Sequence, residues 1–121
     1  MPRRHTYFCA KAAELAEKST MQQRHGCVIV YNDRDIIAKG FNHMRCTMET
    51  TFSVHAEVEA VNKLRQVLRT KNKDYINKCT LYVVRVSRNH ELDNPLCMSL
   101  PCEKCREAIH AVGIKRICYS L

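Results

Sequence analysis

Leu81-Tyr82-Val83-Val84-Arg85-Val86, then Glu103 to Val112, then Lys115-Arg116-Ile117-Cys118-Tyr119 is the succession that decides the fold. The first and last runs are rich in β-branched and aromatic residues and read as strands. Glu103 to Val112 reads as a helix, which Gly113 ends. Ser87 to Leu100, with Asn94-Pro95 as a breaker, reads as the loop before it. A strand, a helix and a second strand in this order form a right-handed crossover onto a parallel neighbour.

Upstream of that unit, residues 5–18 read as an amphipathic helix. Phe8, Ala12, Leu15 and Ala16 fall on one face, with Thr6 as N-cap. Cys27 to Tyr31 reads as a strand, Asn32-Asp33-Arg34-Asp35 as a hairpin turn, and Ile36 to Asn42 as the return strand. Residues 43–53 are polar and read as irregular. His55 to Leu68 has helical spacing through Val58, Val61, Leu64, Val67 and Leu68, with Ser53 as its cap. Residues 69–80 form a basic connection. The predicted order is α-β-β-α-β-α-β, an α/β sandwich with a mixed sheet.

At 121 residues the chain is expected to be one domain. No apolar run approaches the length of a membrane span, and the N-terminus lacks the apolar core of a signal peptide. The expectation is an intracellular, cytoplasmic protein with no membrane partner. Eight cysteines with no secretory signal read as free thiols rather than a disulfide framework. Cys9, Cys27, Cys79 and Cys118 read as small core residues. Cys46 and Cys97 fall in loop-like segments near the motifs described next and read as free thiols. A net charge of +8 favours anionic partners, nucleotides or nucleic acid, without choosing between them.

Two motifs carry chemistry. His55-Ala56-Glu57 opens one predicted helix, and Pro101-Cys102-Glu103-Lys104-Cys105 opens another. Cys102 and Cys105 are i and i+3, so both thiols lie on one side of a helix start. One His and two Cys supply three ligands for Zn2+ and leave the fourth position open, as catalytic rather than structural zinc sites do. Glu57, two residues from His55 in the same turn, is placed to move protons at that open position. Each motif alone is weak. A lone C-x-x-C is as often a redox pair or half a structural zinc site. Their conjunction is the H-x-E and P-C-x-x-C signature of zinc nucleobase deaminases.

On these residues the chain resembles the cytidine deaminase superfamily. The resemblance runs from the first helix through the fourth strand. It implies a three-layer α/β/α fold with a mixed sheet, in a minimal version ending after the fourth strand. It also implies a zinc-dependent hydrolysis that replaces the exocyclic amino group of a nucleobase by oxygen and releases ammonia. The implied metal ligands are His55, Cys102 and Cys105, and the implied general acid/base is Glu57. By the same resemblance Asn42, which closes a G-F-N run, bonds a sugar hydroxyl. The backbone of Ala56 meets the base edge. The family commonly forms homo-oligomers, and a dimer or tetramer is expected.

Glu59 stands where deoxycytidylate deaminases have Asn, in H-A-E-x-N-A. The expected substrate is a cytosine nucleoside or nucleotide, with the positive charge favouring a phosphorylated one. The alternative is a deaminase acting on RNA, of the tRNA adenosine type, or on single-stranded DNA. Arg69, Lys71, Lys73 and Lys78 would then be phosphate contacts. The low aromatic content argues mildly against this. A third reading is a non-catalytic zinc module that binds nucleic acid or protein. Glu57 argues against it, because such a module needs no acid/base.

Overall fold

The computed structural model describes residues 3–21, 23–46, 51–86, 96–97 and 101–119. Its elements are α1 (Arg3–Ala16), β1 (Arg24–Tyr31), β2 (Asp35–Phe41), β3 (His43–Cys46), β4 (Thr51–Val54), α2 (Ala56–Leu68), β5 (Cys79–Val86), β6 (Leu96–Cys97), α3 (Glu103–Val112) and β7 (Arg116–Tyr119). A short 3-10 turn, Tyr75–Lys78, leads into β5.

The main sheet runs β2-β1-β5-β6, and β7 also pairs with β5. β1 is antiparallel to β2 and to β5, and β7 is parallel to β5. The sheet is therefore mixed, and the β5–α3–β7 unit is the parallel crossover expected from the sequence. β1 and β2 meet at a turn in which Asn32 and Asp33 have φ of 56° and 55°. Two positive φ values are what a type I′ hairpin needs, and Asn and Asp tolerate them best among residues with a Cβ.

The two sheet faces carry separate cores. Phe8, Cys9 and Ala12 of α1 pack on Val28, Val30, Tyr82 and Val84. Ala56, Ala60, Val61 and Leu64 of α2 and Ile109 of α3 pack on the opposite face, against Cys27, Ile29, Leu81 and Val83. The alternation along β1 and β5 sorts these residues between faces, as the two-residue period of a strand requires. The result is the three-layer α/β/α arrangement. Cys9, Cys27 and Cys79 are buried, Cys118 is half-buried, and all four are free thiols.

Several boundaries differ from the sequence reading. α1 begins at Arg3, so Thr6 lies inside the helix and does not cap it. β1 begins at Arg24, three residues before the apolar run, because its polar start pairs with Arg85 and Val86 of β5. Residues read as irregular contain a hairpin, in which His43–Cys46 pairs with Thr51–Val54. Ser53 lies in that hairpin, and the N-cap position of α2 is His55. β6 adds a short strand, Leu96–Cys97, inside the predicted 87–100 loop. The Asn94-Pro95 breaker and the rest of that loop lie outside the described residues, as do the side chains of Cys46 and Cys97.

Two glycines seat the helices. A Cβ on Gly26 would come within 1.8 Å of the Ala12 carbonyl oxygen in α1, and one on Gly40 within 2.3 Å of the Ala56 carbonyl oxygen in α2. Both obstacles are backbone and cannot rotate away. Overpacking typically costs about 1–3 kcal/mol, and Gly40→Ala is expected to reach the upper part of that range. Its urea midpoint is expected to fall while the dependence on denaturant stays the same. Because the displaced turn begins at His55, zinc retention is expected to fall as well. An unchanged midpoint would refute this account of how α2 is seated.

Candidate metal centre

α2 and α3 both start without a side-chain cap. Helix N-termini usually recruit Ser, Thr, Asp or Asn to bond their free N–H groups. Here the cap positions hold His55 (φ −76°, ψ 147°) and Cys102 (φ −67°, ψ 167°), and neither side chain bonds its own helix. They turn toward each other. His55 Nδ1 is 3.2 Å from Cys105 Sγ and 3.6 Å from Cys102 Sγ, and the three atoms all lie within 4.8 Å of one another. Residues 47 positions apart in the chain thus share one cluster.

These distances test whether zinc fits. With Zn–S near 2.3 Å and Zn–N near 2.0 Å, a tetrahedral ion separates N from S by about 3.5 Å and S from S by about 3.8 Å. The spacing of His55 Nδ1 from both sulfurs lies close to that edge, and an imidazole with two thiolates is a donor set typical of zinc. Cys105 is buried, whereas His55 and Cys102 are exposed. The cluster is therefore floored by the core and open on its outer side, where a fourth ligand from solvent belongs. Both helices also aim their positive ends at it, which favours thiolate, hydroxide or other anions.

Glu57 sits in the first turn of α2 with only 6% of its surface exposed. Burial raises its pKa, and a backbone hydrogen bond, the Cys105 thiol and His55 oppose that rise. The Cys105 thiol is raised too, first by burial and then by Glu57. Beneath them Cys27 is fully buried, and its thiol is pushed well up by burial and by its proximity to Glu57 and Cys105. A divalent cation on the three donors would reverse this by favouring thiolate and carboxylate. A carboxyl whose pKa burial raises, beside a candidate metal site, is suited to exchanging protons there.

The register of β1 and β5 identifies two further residues that sequence reasoning did not single out. Cys27 faces the cluster, and two residues back along β1, on the same face, stands His25. Its cross-strand partner is Arg85. The His25 imidazole is held below its ordinary range, first by burial, then by the charges of Arg85 and His55. Both residues are half-buried and form a rim one strand step, about 7 Å, beyond the floor of the cluster. No sequence motif marks them. The available signal was a His and an Arg at the ends of two apolar strands, and it gains meaning only through register.

Asn42 is buried beside that rim. Its Oδ1 accepts a hydrogen bond from the His25 backbone N–H at 2.8 Å, and its Nδ2 donates to the Gln23 carbonyl. One amide hydrogen and one lone pair remain for another partner. Ala56 is the first residue of α2 and is fully buried beside His55. Arg69, Lys71, Lys73 and Lys78 are exposed, but the structure does not bring them to the cluster. Arg69 lies fourteen residues along α2 from His55, about 21 Å at the α-helical rise. Lys71 stands over the Tyr75 ring at 5.4 Å, and Tyr75 stacks on Tyr31. Arg69 is thus beyond the reach of a mononucleotide held at the cluster.

The model of the family described as "cytidine and deoxycytidylate deaminase zinc-binding region" matches residues 2–121. Curated protein sequences give no significant match. Among solved structures, the dCMP deaminase of cyanophage S-TIM5 in apo form superposes with a TM-score of 0.67 at 20% identity, covering 98% of this chain and 83% of that one. Guanine deaminase from Bacillus subtilis gives 0.64 at 27% identity, covering 99% of this chain and 64% of that one. Cytidine deaminase from Mycobacterium tuberculosis gives 0.57 at 15% identity, covering 96% and 83%. The first and third likenesses speak to the fold alone.

Full-length protein purified with zinc is expected to hold one ion per chain by elemental analysis. Cys105→Ser and Cys102→Ser are each expected to weaken retention by more than the roughly 10- to 100-fold that losing an outer-shell partner costs. Retention of stoichiometric zinc by Cys105→Ser after dialysis against a chelator would contradict the ligand set.

Proposed function

The chain belongs to the cytidine and deoxycytidylate deaminase zinc-binding family, and on that premise we propose that it hydrolytically deaminates a cytosine nucleoside or nucleotide, with dCMP or CMP as the preferred class. The observation that carries the reading is a buried Glu57 in the first turn of the helix whose cap residue, His55, joins Cys102 and Cys105. His55, Cys102 and Cys105 are the residues that would hold zinc, which when bound supplies a water-derived nucleophile at neutral pH.

Glu57 does the proton work. Its carboxylate takes one proton from the attacking water and gives it to the ring nitrogen, then takes the second proton from the oxygen now bonded to the ring carbon and gives it to the departing amino group, which leaves as ammonia as the carbonyl forms. Burial raises the Glu57 pKa toward the working pH, the direction that suits a group that must both accept and donate protons. The backbone N–H of Ala56 lies at the start of α2, where amides have no helical partner, and is free to bond the edge of the base. Asn42 has one donor and one acceptor to spare for a sugar hydroxyl. The buried floor under Cys27 keeps water from the inner side.

Two considerations favour a cytosine nucleotide within this chemistry. The cyanophage relative has been solved in complex with dCMP and dUMP, at 20% identity to this chain. The net charge of +8 also suits an anionic substituent on the sugar.

Ammonia release from a panel of deoxycytidine, cytidine, dCMP, CMP, guanine, adenosine and single-stranded oligonucleotides tests the proposal. Zinc-loaded protein is expected to favour dCMP or CMP. Silence across the panel would overturn the deaminase reading, and a preference for guanine, adenosine or oligonucleotides would overturn the substrate class. Glu57→Gln is expected to lower kcat by about 10²- to 10⁴-fold, the usual worth of general acid/base catalysis, with zinc retained. Undiminished turnover in that variant would remove Glu57 from its assigned role.

A further inference from the structure

The first turn of α2 carries a second carboxylate that the chemistry above does not use. Glu59 follows Glu57 by two residues, about 200° around the helix, so the two face different ways. Glu57 faces the metal-site cluster. Glu59 faces the corner where β2 ends and β3 leaves the main sheet. There its Oε1 accepts a hydrogen bond from the Phe41 backbone N–H at 3.2 Å, and its Oε2 lies 3.3 Å from His43 Nδ1. Lys63, one turn further along α2, stands 3.7 Å from Oε1. The carboxylate is only 19% exposed, so these contacts are not those of a solvated surface acid.

Phe41, whose N–H Glu59 holds, and His43, whose Nδ1 lies nearer to the Phe41 carbonyl oxygen, at 2.9 Å, than to the carboxylate, flank Asn42. The β1–β2 ladder ends with Gly26 opposite Phe41, one residue short of Asn42. Past that pair Asn42 is held by its bonds to Gln23 and His25, including its own N–H to the His25 carbonyl at 3.2 Å. These bonds tie Asn42 to β1 but not to α2. The polar link from the corner to α2, the helix that carries His55 and Glu57, runs through Glu59. On the deaminase reading the substrate lies between two walls. One is the start of α2 with its candidate zinc ligand and acid/base. The other is the His25–Asn42 rim.

We propose that Glu59 is a positioning residue that sets the His25–Asn42 rim at a fixed distance from His55 and Glu57, so that substrate binding, more than the chemical step, depends on it. This rests on the deaminase reading above, in which Asn42 meets the substrate. Removing the carboxylate leaves the Phe41 N–H without its acceptor and lets the corner drift. A group that acts only by holding the substrate-side wall changes KM and leaves kcat nearly unmoved.

The test uses zinc-loaded full-length protein with three variants. Glu59→Ala removes the acceptor. Glu59→Asp keeps the charge but falls one methylene short. Glu59→Gln keeps the reach and an acceptor oxygen for Phe41. Ala and Asp are expected to raise KM for dCMP and weaken dUMP binding by about tenfold, the usual scale for losing a hydrogen bond to a charged group. Their kcat is expected to stay within about threefold and their zinc content at wild-type level. Gln is expected to recover most of the loss. Unchanged KM and dUMP affinity in both Ala and Asp would overturn the proposal, as would a loss that falls on kcat alone. Amide hydrogen exchange provides a readout independent of activity. The Phe41–His43 corner is expected to lose protection in Ala and Asp and keep it in Gln. If the wild-type protein were silent on dCMP, the substrate reading would fall on its own. The exchange pattern would still decide Glu59, and equal protection in all four proteins would overturn it.

Discussion

Everything at this site depends on two helices meeting end-on through side chains that decline to cap them. His55 and Cys102 occupy positions where a Ser or Asp would have satisfied free N–H groups and stabilised each helix by about 0.5–2 kcal/mol. The fold forgoes that stabilisation. In return, the unsatisfied amides and aligned dipoles of α2 and α3 point at one place, and donor atoms from both helices arrive there within 3.2–3.6 Å of one another. A cation is the natural remedy for such an arrangement. It draws the thiols to thiolate, and its binding free energy adds to the stability of the form that holds the two helix starts together.

The placement of Glu57 follows from the same geometry. A carboxylate next to three metal donors needs a dry floor to be raised into the range where it can give and take protons. Cys27, fully buried beside Glu57 and Cys105, supplies that floor. Burial of this kind costs stability whenever the carboxyl is ionised and unpaired. A backbone hydrogen bond, the Cys105 thiol and His55 oppose the rise that burial gives Glu57.

The parts of this architecture that local sequence dictates were legible in it. The bounds of α3 follow from Pro101, its periodicity and Gly113, and the structure has them residue for residue as predicted. The four main strands announce themselves through Val, Ile and Tyr. The cluster of His55, Cys102 and Cys105 was legible because metal chemistry limits which residues serve and at what spacing. The β3–β4 hairpin was not, because His43 to Cys46 and Thr51 to Val54 alternate polar and apolar residues over only four positions each, inside a stretch that is polar as a whole. Their pairing is held by the backbone. The polar start of β1 was missed for a related reason: Arg24 and His25 are strand residues only because β5 lies opposite them. The basic connection was legible as charge but not as place. Its charges were plain in the sequence, but distance from the cluster is set by the length of α2, which places Arg69 at the end remote from His55.

A pocket whose walls come from different elements needs a spacer, and backbone pairing cannot provide one here. β2 stops pairing at Phe41, α2 starts at Ala56, and the chain between them goes out through a hairpin that joins the main sheet nowhere among the described residues. Packing fixes one part of the separation, since Gly40 lets the Ala56 carbonyl come within the space of a missing Cβ. That contact sets how closely α2 approaches β2 but not how the next two residues turn. Asn42 and Glu59 act on those residues from opposite sides, one bonded to β1 and the other carried by α2. Close backbone packing and directional hydrogen bonds thus divide the task. The glycine sets the depth at which the helix sits, and the two polar side chains set the angle of the rim above it.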